Sequence, residues 1–272
     1  MRLVARAPGK VNLSLFVGAP REDGLHPLVS VVQAVTLADE LTLEPADVDE
    51  VICPGVEGEN LAARALARFR QATGWEAPPV RLTIVKRIPV AAGMGGGSAD
   101  AAAALRLAAH AAGGADPALL HELAAGLGGD VPSLLTPGRV LMTGAGEHVA
   151  RLPDPEPFGL VVVPSPHTLS TPAVYGEFDR RGGARSPGEL AAREAEALAG
   201  AAPAVNDLQD AARALCPAID DALFPGAMVS GSGPTVFATY DSPERARAAA
   251  ATLPGAVAVE PVPAGYGEVR PA

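Results

Sequence analysis

Residues 91–100 have the composition of a phosphate-binding loop. They read AAGMGGGSAD and place four glycines within five positions. Glycine loses more conformational freedom on folding than other residues, so such a cluster indicates a local requirement. An alanine-rich, helix-forming run follows directly, and the first backbone N–H groups of a helix attract anions. We therefore interpret the loop as a phosphate cradle, in which missing side chains let the backbone close on the ligand.

Two familiar phosphate-binding patterns do not describe this loop. The P-loop requires a lysine after its last glycine, whereas Ser98 follows Gly97 here. The dinucleotide fingerprint Gly-x-Gly-x-x-Gly, counted from Gly93 and Gly95, would need its third glycine at Ser98. A tightly packed loop without a ligand is the remaining alternative.

Three other positions carry polar groups suited to chemistry. Lys10 and Asn12 lie two residues apart, so on a strand both side chains could enter one cleft. Asp130 precedes Val-Pro and is compatible with a turn or a helix cap as well as with acid–base chemistry. Residues 228–235 (MVSGSGPT) form a second turn of small residues. Singly, each of these signals is weak.

Local patterns predict the elements that position these residues. Residues 80–87 alternate like a half-buried strand that Pro89 closes. A helix is predicted from Ser98 to about residue 112, with Ser98 or Asp100 as its capping side chain. Further strands are predicted near residues 139–143, 158–163, 227–230, 235–240 and 256–262, and further helices near residues 117–126, 186–199, 206–216 and 242–253. Residues 154–157 (DPEP) are typical of a linker, so we expect an α/β or α+β protein with domains over residues 1–153 and 154–272.

Composition excludes several function classes. The net charge of −10 argues against a nucleic-acid partner, and the absence of an 18-residue apolar run argues against a membrane span. Two distant cysteines and histidines without ligand spacing indicate no structural metal. We expect a cytoplasmic protein.

Taken together, the motifs resemble those of the GHMP kinases, which phosphorylate small-molecule hydroxyls with ATP. The resemblance rests on PGK at residues 8–10, GMGGGSA at 93–99 and GSGP at 231–234. It is extended by DGLH at 23–26, KRIP at 86–89, LGGDVP at 127–132, STP at 170–172 and NDL at 206–208. The implied fold is the α+β, two-domain GHMP kinase architecture, with an N-terminal α/β domain and a C-terminal ferredoxin-like α+β domain.

The resemblance also implies residue roles. Lys10 and Asp130 would form the catalytic pair, and Ser98 would lie near the β- and γ-phosphates and a Mg²⁺ ion that arrives with ATP. The ATP-binding segment would comprise Pro89, Val90, Ala91, Ala92, Gly93, Met94, Gly95, Gly96, Gly97, Ser98 and Ala99. A valine at Gly96 is expected to block the backbone's approach to phosphate and to resist a positive φ.

Within the family, DGLH and STP favour the branch that acts on a cytidyl-diphosphate sugar alcohol. Asn12 would then bind the sugar alcohol, His26 the cytosine, and Thr171 and Tyr175 would line the substrate cleft. Leu25 stands where that branch usually has an aromatic residue that stacks on cytosine, which leaves Tyr175 as the expected stacking ring. Ala99 replaces the usual second serine of the loop, and Gly129 a usual alanine.

Two competing functions are considered. One is a GHMP kinase for another alcohol, such as homoserine or a mevalonate derivative. The other is a non-catalytic nucleotide sensor, which would not need Lys10, Asn12, Ser98 and Asp130 together. The expected partners are small molecules, and the expected state is a monomer or weak homodimer.

Overall fold

The computed structural model describes residues 2–56, 58–90 and 92–272. Its strands form two sheets. The first sheet contains β1 (Leu3–Val17), β2 (Leu28–Pro45), β3 (Glu50–Ile52), β4 (Val80–Val85), β5 (Arg139–Thr143), β6 (His148–Arg151) and β11 (Arg270–Pro271); the second contains β7 (Gly159–Val163), β8 (Met228–Val229), β9 (Val236–Tyr240) and β10 (Val257–Val259). The strand order is β11-β1-β2-β4-β3 in the first sheet, where β5 pairs with β2 and β6, and β10-β7-β9-β8 in the second.

The helices connect these strands and cover the sheets. They are α1 (Leu61–Thr73), α2 (Gly96–Ala111), α3 (Pro117–Ala125), α4 (Val131–Leu135), α5 (Thr171–Arg181), α6 (Pro187–Leu198), α7 (Gln209–Leu215), α8 (Ala218–Ala222) and α9 (Pro243–Ala250), with a short 3₁₀ helix at Ala264–Gly267. A helix that is apolar on nearly all sides is buried, and α2 follows this rule. Its alanines pack with Leu41, Leu82 and Ile84 in the core of the first sheet.

The second sheet has the ferredoxin-like arrangement. Its connections follow a β-α-β-β-α-β order, and its first and third strands, β7 and β9, are the central pair. A further core lies between the two sheets, where Val11 and Val35 of the first pack with Leu160 and Phe237 of the second. The two-domain fold expected from the sequence is therefore confirmed. The exact boundary at residue 153 stays a prediction, and the last strand, β11, returns to pair with β1.

The predicted elements agree with the structure, with shifted ends. Asp116 caps α3, and Ser186 caps α6 in a capping box with Glu189. The predicted cap of α2 is wrong, because the helix begins at Gly96 and its N-cap is Gly95, with φ of 66° and no side-chain cap. Ser98 and Asp100 therefore lie inside the first turns. The helix predicted at 206–216 begins only at Gln209.

Candidate active site

A cleft of about 790 Å³ brings most of the predicted site residues together. It is lined by the following predicted residues: Lys10, Asn12, His26, Ala92, Gly93, Gly95, Gly96, Gly97, Ser98, Asp130, Thr171 and Tyr175. Pro89 and Val90 do not line it, and Met94 and Ala99 are buried in the core. Ala91 lies outside the described residues.

Lys10 and Asp130 form an ion pair in this cleft. Lys10 lies on β1 next to a register shift in its pairing with β2, and such bulges re-aim side chains. Its Nζ lies 3.3 Å from Asp130 Oδ2 and donates to Asn12 Oδ1 at 2.7 Å. The lysine side chain is 5% exposed and that of Asp130 is 34% exposed. A buried ammonium with three donors, of which two have partners, leaves one N–H for a ligand.

A chain of hydrogen bonds through Ser30 fixes the side chain of Asn12. Its Nδ2 donates to Ser30 Oγ at 2.8 Å, and Ser30 Oγ donates to the Ser14 carbonyl at 2.6 Å. All three side chains are buried. Because each polar group has a partner, Asn12 holds Lys10 in one orientation.

The glycine loop ends at the N-terminus of α2, which points into the same cleft. Gly93 and Gly95 have φ values of 75° and 66°, which side-chain-bearing residues rarely adopt. Ala99 is the first residue of this turn whose backbone N–H forms an intrahelical hydrogen bond, and it donates to the Gly95 carbonyl. Among the described residues, the preceding N–H groups of Gly96, Gly97 and Ser98 have no acceptor, and a helix N-terminus offers such donors to an anion.

The expectation for Gly96 needs correction. Its φ is not positive, because it is the first residue of α2. A Cβ there would lie 3.1 Å from Ile88 Cγ2 and 3.3 Å from Lys86 Nζ, so a valine would disturb packing as well as ligand approach. A Cβ at Gly97 would meet no atom within 4 Å, which makes Gly97 the better probe of phosphate binding.

The second small-residue turn packs directly against the loop. A Cβ on Gly93 would lie 2.6 Å from the Gly233 carbonyl oxygen, so only glycine permits this approach. Ser230 Oγ donates to the Gly93 carbonyl at 3.3 Å, and Asn206 Nδ2 donates to the carbonyls of Val229 and Gly231, each at 2.8 Å. The turn therefore closes one side of the cleft and holds the loop.

Another part of the cleft is aromatic. The rings of His26 and Tyr175 have centroids 4.8 Å apart and are tilted by 44°. His26 Nε2 lies 2.8 Å from Asp179 Oδ1, so a proton on Nε2 is stabilised and Nδ1 can accept a hydrogen bond. Burial, and then the charge of Asp130, raise the pKa of the Tyr175 hydroxyl, which therefore stays protonated at neutral pH.

Leu25 lies at the rim of this part of the cleft. Its side chain is 53% exposed and lines the cleft, and its N–H donates to Asp23 Oδ1 at 2.9 Å. Arg21 hydrogen-bonds Asp23 and also Glu147, and the first of these contacts lowers the pKa of the Asp23 carboxyl. The turn that presents Leu25 is thus tied to the turn after β5. Across the cleft, Thr171 Oγ1 lies 2.9 Å from Ser232 Oγ.

A cluster of three charged residues, Asp39, Lys86 and Asp100, stabilises the segment that leads into the glycine loop. Lys86 Nζ lies 2.5 Å from Asp39 Oδ2 and 2.7 Å from Asp100 Oδ2. Asp39 Oδ1 also accepts the N–H groups of Arg87 and Ile88, which lead into the loop. Asp100 Oδ1 is buried without a partner. Burial raises the pKa of Asp100 to about 7, although Lys86 opposes the shift.

Sequence reasoning missed three of these contributors. Asp179 carries no motif, and helical spacing from Tyr175 is the signal that would have placed it on the same face of α5. Ser30 is separated from Asn12 along the chain and meets it only through strand pairing. The cluster of Asp39, Lys86 and Asp100 combines β2, the end of β4 and α2, which no local pattern connects.

Comparison with known protein families agrees with this geometry. The model of the GHMP kinases N terminal domain matches residues 60–138, and that of the GHMP kinases C terminal matches residues 180–258, together more than half of the chain. The chain belongs to the GHMP kinase family. Both matched segments carry residues of the cleft, since the first contains the glycine loop and Asp130 and the second contains the 231–233 turn.

Individual relatives of this GHMP kinase are similar over nearly their whole length. The 4-diphosphocytidyl-2-C-methyl-D-erythritol kinase of Streptomyces avermitilis is 44% identical over 267 residues, which cover 89% of each chain. The crystal structure of a 4-(cytidine 5'-diphospho)-2C-methyl-D-erythritol kinase superposes with a TM-score of 0.76 at 34% identity and covers 94% of this chain and 98% of its own. A homoserine kinase from Cytophaga hutchinsonii shares the fold alone, with a TM-score of 0.62 at 19% identity, covering 99% and 97% of the two chains.

Over residues 2–56, 58–90 and 92–272, no group of three or more His, Cys, Asp or Glu side chains could hold a metal ion. No helix in the described part of the chain combines the length and apolar character that a membrane span requires.

Proposed function

We propose that this GHMP kinase transfers the γ-phosphate of ATP to the 2-hydroxyl of 4-diphosphocytidyl-2-C-methyl-D-erythritol, a step of non-mevalonate isoprenoid precursor biosynthesis. The names of its relatives and the order of its motifs support this substrate. The observation that carries the proposal is the shared cleft, in which an ammonium–carboxylate pair faces the N-terminus of a helix that begins with glycines.

Phosphoryl transfer asks a protein mainly for positioning and charge stabilisation. In the proposed step, the substrate 2-hydroxyl oxygen forms a bond to the γ-phosphorus while the bond from that phosphorus to the β–γ bridging oxygen breaks. The hydroxyl proton passes to Asp130, and ADP leaves. The Lys10 ammonium neutralises charge on the attacking and transferred oxygens.

The free N–H groups at the start of α2 would bind the ATP phosphates, and Gly93 to Gly97 would let the backbone reach them. The donor set in the cleft fits Mg²⁺ that arrives with the nucleotide. Ser98 lines the cleft and offers one hydroxyl, and Mg²⁺ commonly takes one or two protein oxygens besides phosphate and water. The ion would supply charge neutralisation between the β- and γ-phosphates.

The aromatic part of the cleft would bind the cytidyl group. Tyr175 offers a ring face, and His26, oriented by Asp179, offers Nδ1 as an acceptor for the exocyclic amino group of cytosine. Uracil has a carbonyl at that position and would be disfavoured. Asn12 and Thr171 would contact the sugar alcohol and the region beside it.

Both substrates are highly charged and cross a bilayer poorly, so the proposal includes a cytoplasmic location. The proposed functional state is a monomer or weak homodimer, because every residue assigned to the reaction belongs to one chain.

The test is coupled detection of ADP with purified protein, ATP and Mg²⁺. ADP should form with the cytidyl-diphosphate alcohol and not with homoserine or mevalonate. Comparable turnover of either of the latter would overturn the proposed substrate. The Asp130→Asn variant controls for contaminating kinases, since it should slow ADP release by at least about a hundredfold while it retains the fold.

A further inference from the structure

A second cavity lies on the other side of β1 from the candidate active site. It has a volume of about 420 Å³, within the range of small-molecule sites. Asn12 lines the first cleft, whereas the next residue, Leu13, lines the second. The remaining apolar wall comes from the second sheet and the segments beside it, and it includes Phe158, Met228 and Phe237.

One cationic side chain in this cavity has a buried donor with no hydrogen-bond acceptor among the described residues. Arg139 of β5 lines the cavity, and its Nε is buried without a hydrogen-bond partner. Among the described residues it forms no ion pair. Burial alone lowers the pKa of its guanidinium, and no neighbouring carboxylate opposes the shift. A buried donor without a partner costs free energy that an anionic ligand would recover.

A second unpartnered polar atom lies beside it in the sheet. Gln33 of β2 is the cross-strand partner of Arg139, and Val31 is the partner of Leu141. Val31 and Leu141 pack together in one core, so by strand alternation Gln33 and Arg139 share that same sheet face. Gln33 is fully buried and its Oε1 has no hydrogen-bond partner. Gln33 Oε1 is an acceptor and Gln33 does not line the cavity, so this atom calls for a donor, and the case for an anion rests on Arg139.

Within the described residues, the two acidic residues that line the cavity, Glu156 and Asp241, form no ion pair with Arg139. Asp241 pairs with Arg245 at 2.5 Å, and Glu156 makes no ion pair within the described residues. Neither carboxylate contributes to the pKa of Arg139. The guanidinium is therefore available to an anion, and Glu156 and Asp241 share the mostly apolar wall of the cavity with it.

We propose that this second cavity binds a small organic anion, whose carboxylate or phosphate group pairs with Arg139 and whose apolar body packs against Leu13, Met228 and Phe237. A guanidinium forms two parallel hydrogen bonds with either kind of acid group, which explains why Arg suits the position. The site goes beyond the proposed kinase function and does not depend on it.

The methionines provide an internal test of this proposal. Met142 lines the first cleft and Met228 the second, so methyl-labelled methionine gives one NMR reporter for each cavity. The protein is titrated with butyl phosphate and with hexanoate, in the presence of a saturating non-hydrolysable ATP analogue that occupies the first cleft. Inorganic phosphate and 1-butanol serve as controls that carry only the anion or only the apolar body.

We expect the Met228 signal to shift with butyl phosphate or hexanoate while the Met142 signal stays unchanged. The acid that binds more tightly identifies a phosphate or a carboxylate as the preferred group. Both controls should bind at least about tenfold more weakly, and Arg139→Leu should weaken binding by a similar factor while Arg139→Lys retains part of it.

Three results would overturn the proposal. The first is no Met228 shift in the wild-type protein, which would indicate that a water molecule satisfies Arg139 and Gln33. The second is equal binding by Arg139→Leu, and the third is a shift confined to Met142. The wild-type titration decides the question even if the leucine variant fails to fold.

Discussion

The Nζ of Lys10 lies 3.3 Å from Oδ2 of Asp130, although one residue belongs to the first strand and the other directly precedes α4. The same ammonium donates to Asn12 Oδ1. This arrangement orients a carboxylate and a cation toward the space in front of α2, where phosphate and hydroxyl would meet. The proposed phosphoryl transfer would therefore require the pair and not either residue alone.

Replacement of either Lys10 or Asp130 should remove most of the catalytic activity and leave ATP binding nearly intact. We expect Asp130→Asn and Lys10→Met each to lower kcat by roughly 10²- to 10⁴-fold, the range for a positioned acid–base group. Steady-state kinetics and calorimetric titration with ATP measure the two quantities separately. Asp210→Asn, at a carboxylate that is 74% exposed and pairs with Arg213, is the control and should change neither. A parallel loss of ATP affinity in both variants would contradict the assigned roles.

Gly97→Ala should weaken ATP binding without harm to the fold. The added methyl meets no protein atom within 4 Å, and alanine favours a helix over glycine by up to about 1 kcal/mol. The methyl would, however, project in front of the free N–H groups of α2. We expect the Kd for ATP to rise about tenfold while the melting temperature stays equal or increases.

Gly188→Ala is the matched control for Gly97→Ala. Gly188 is the second residue of α6, as Gly97 is of α2, and a Cβ there is equally unobstructed. It should change stability in the same direction and leave the Kd for ATP unaltered. If Gly97→Ala also left the Kd unaltered, the loop would be a packing element and not a phosphate cradle.

Tyr175 should supply the main stacking contact for cytosine. A stacked base is worth roughly 1–3 kcal/mol by alanine substitution, so Tyr175→Ala should raise KM for the cytidyl substrate about tenfold or more. Tyr175→Phe retains the ring and should be nearly silent. Leu25→Tyr adds a second ring at the exposed rim and should lower KM. Steady-state kinetics at saturating ATP measures all three, and an unchanged KM for Tyr175→Ala would assign the ring to packing alone.

Asp100 should make stability depend on pH. Burial raises its pKa from 3.8 to about 7, so between these values the folded protein binds more protons at this carboxyl than the unfolded chain. The free energy of unfolding should therefore fall as pH rises from about 4 to 7, with a limiting slope of about 1.4 kcal/mol per pH unit for one proton.

Asp100→Asn should flatten this dependence, because the amide does not titrate. Urea denaturation at several pH values between 4 and 8 provides the measurement. Asp154→Asn removes a carboxylate whose side chain is 57% exposed and serves as the control with wild-type slope. An identical slope in Asp100→Asn and wild type would mean that Lys86 keeps the carboxyl ionised throughout.

Much of the fold could be predicted because the relevant signals are local. Alternating residues identified β4, and the helices predicted near residues 117–126 and 186–199 begin within one residue of the starts of α3 and α6. The start of α2 was misplaced for a physical reason. Its N-cap is a glycine in the left-handed conformation, and the donors that a capping side chain would satisfy are left free for a ligand.

The amino-acid sequence by itself determined the strand, glycine loop and helix of the proposed phosphate cradle, because these elements are contiguous and depend on nearest-neighbour preferences. Through its motifs it also indicated Lys10, Asn12 and Asp130. Only the tertiary structure decided that Lys10 pairs with Asp130, that Asp179 orients His26 and that Arg139 lines a second cavity without an ion-pair partner among the described residues. Each of these relations joins residues on separate elements, and their distances follow from strand register and from the packing of two sheets, which no local pattern specifies.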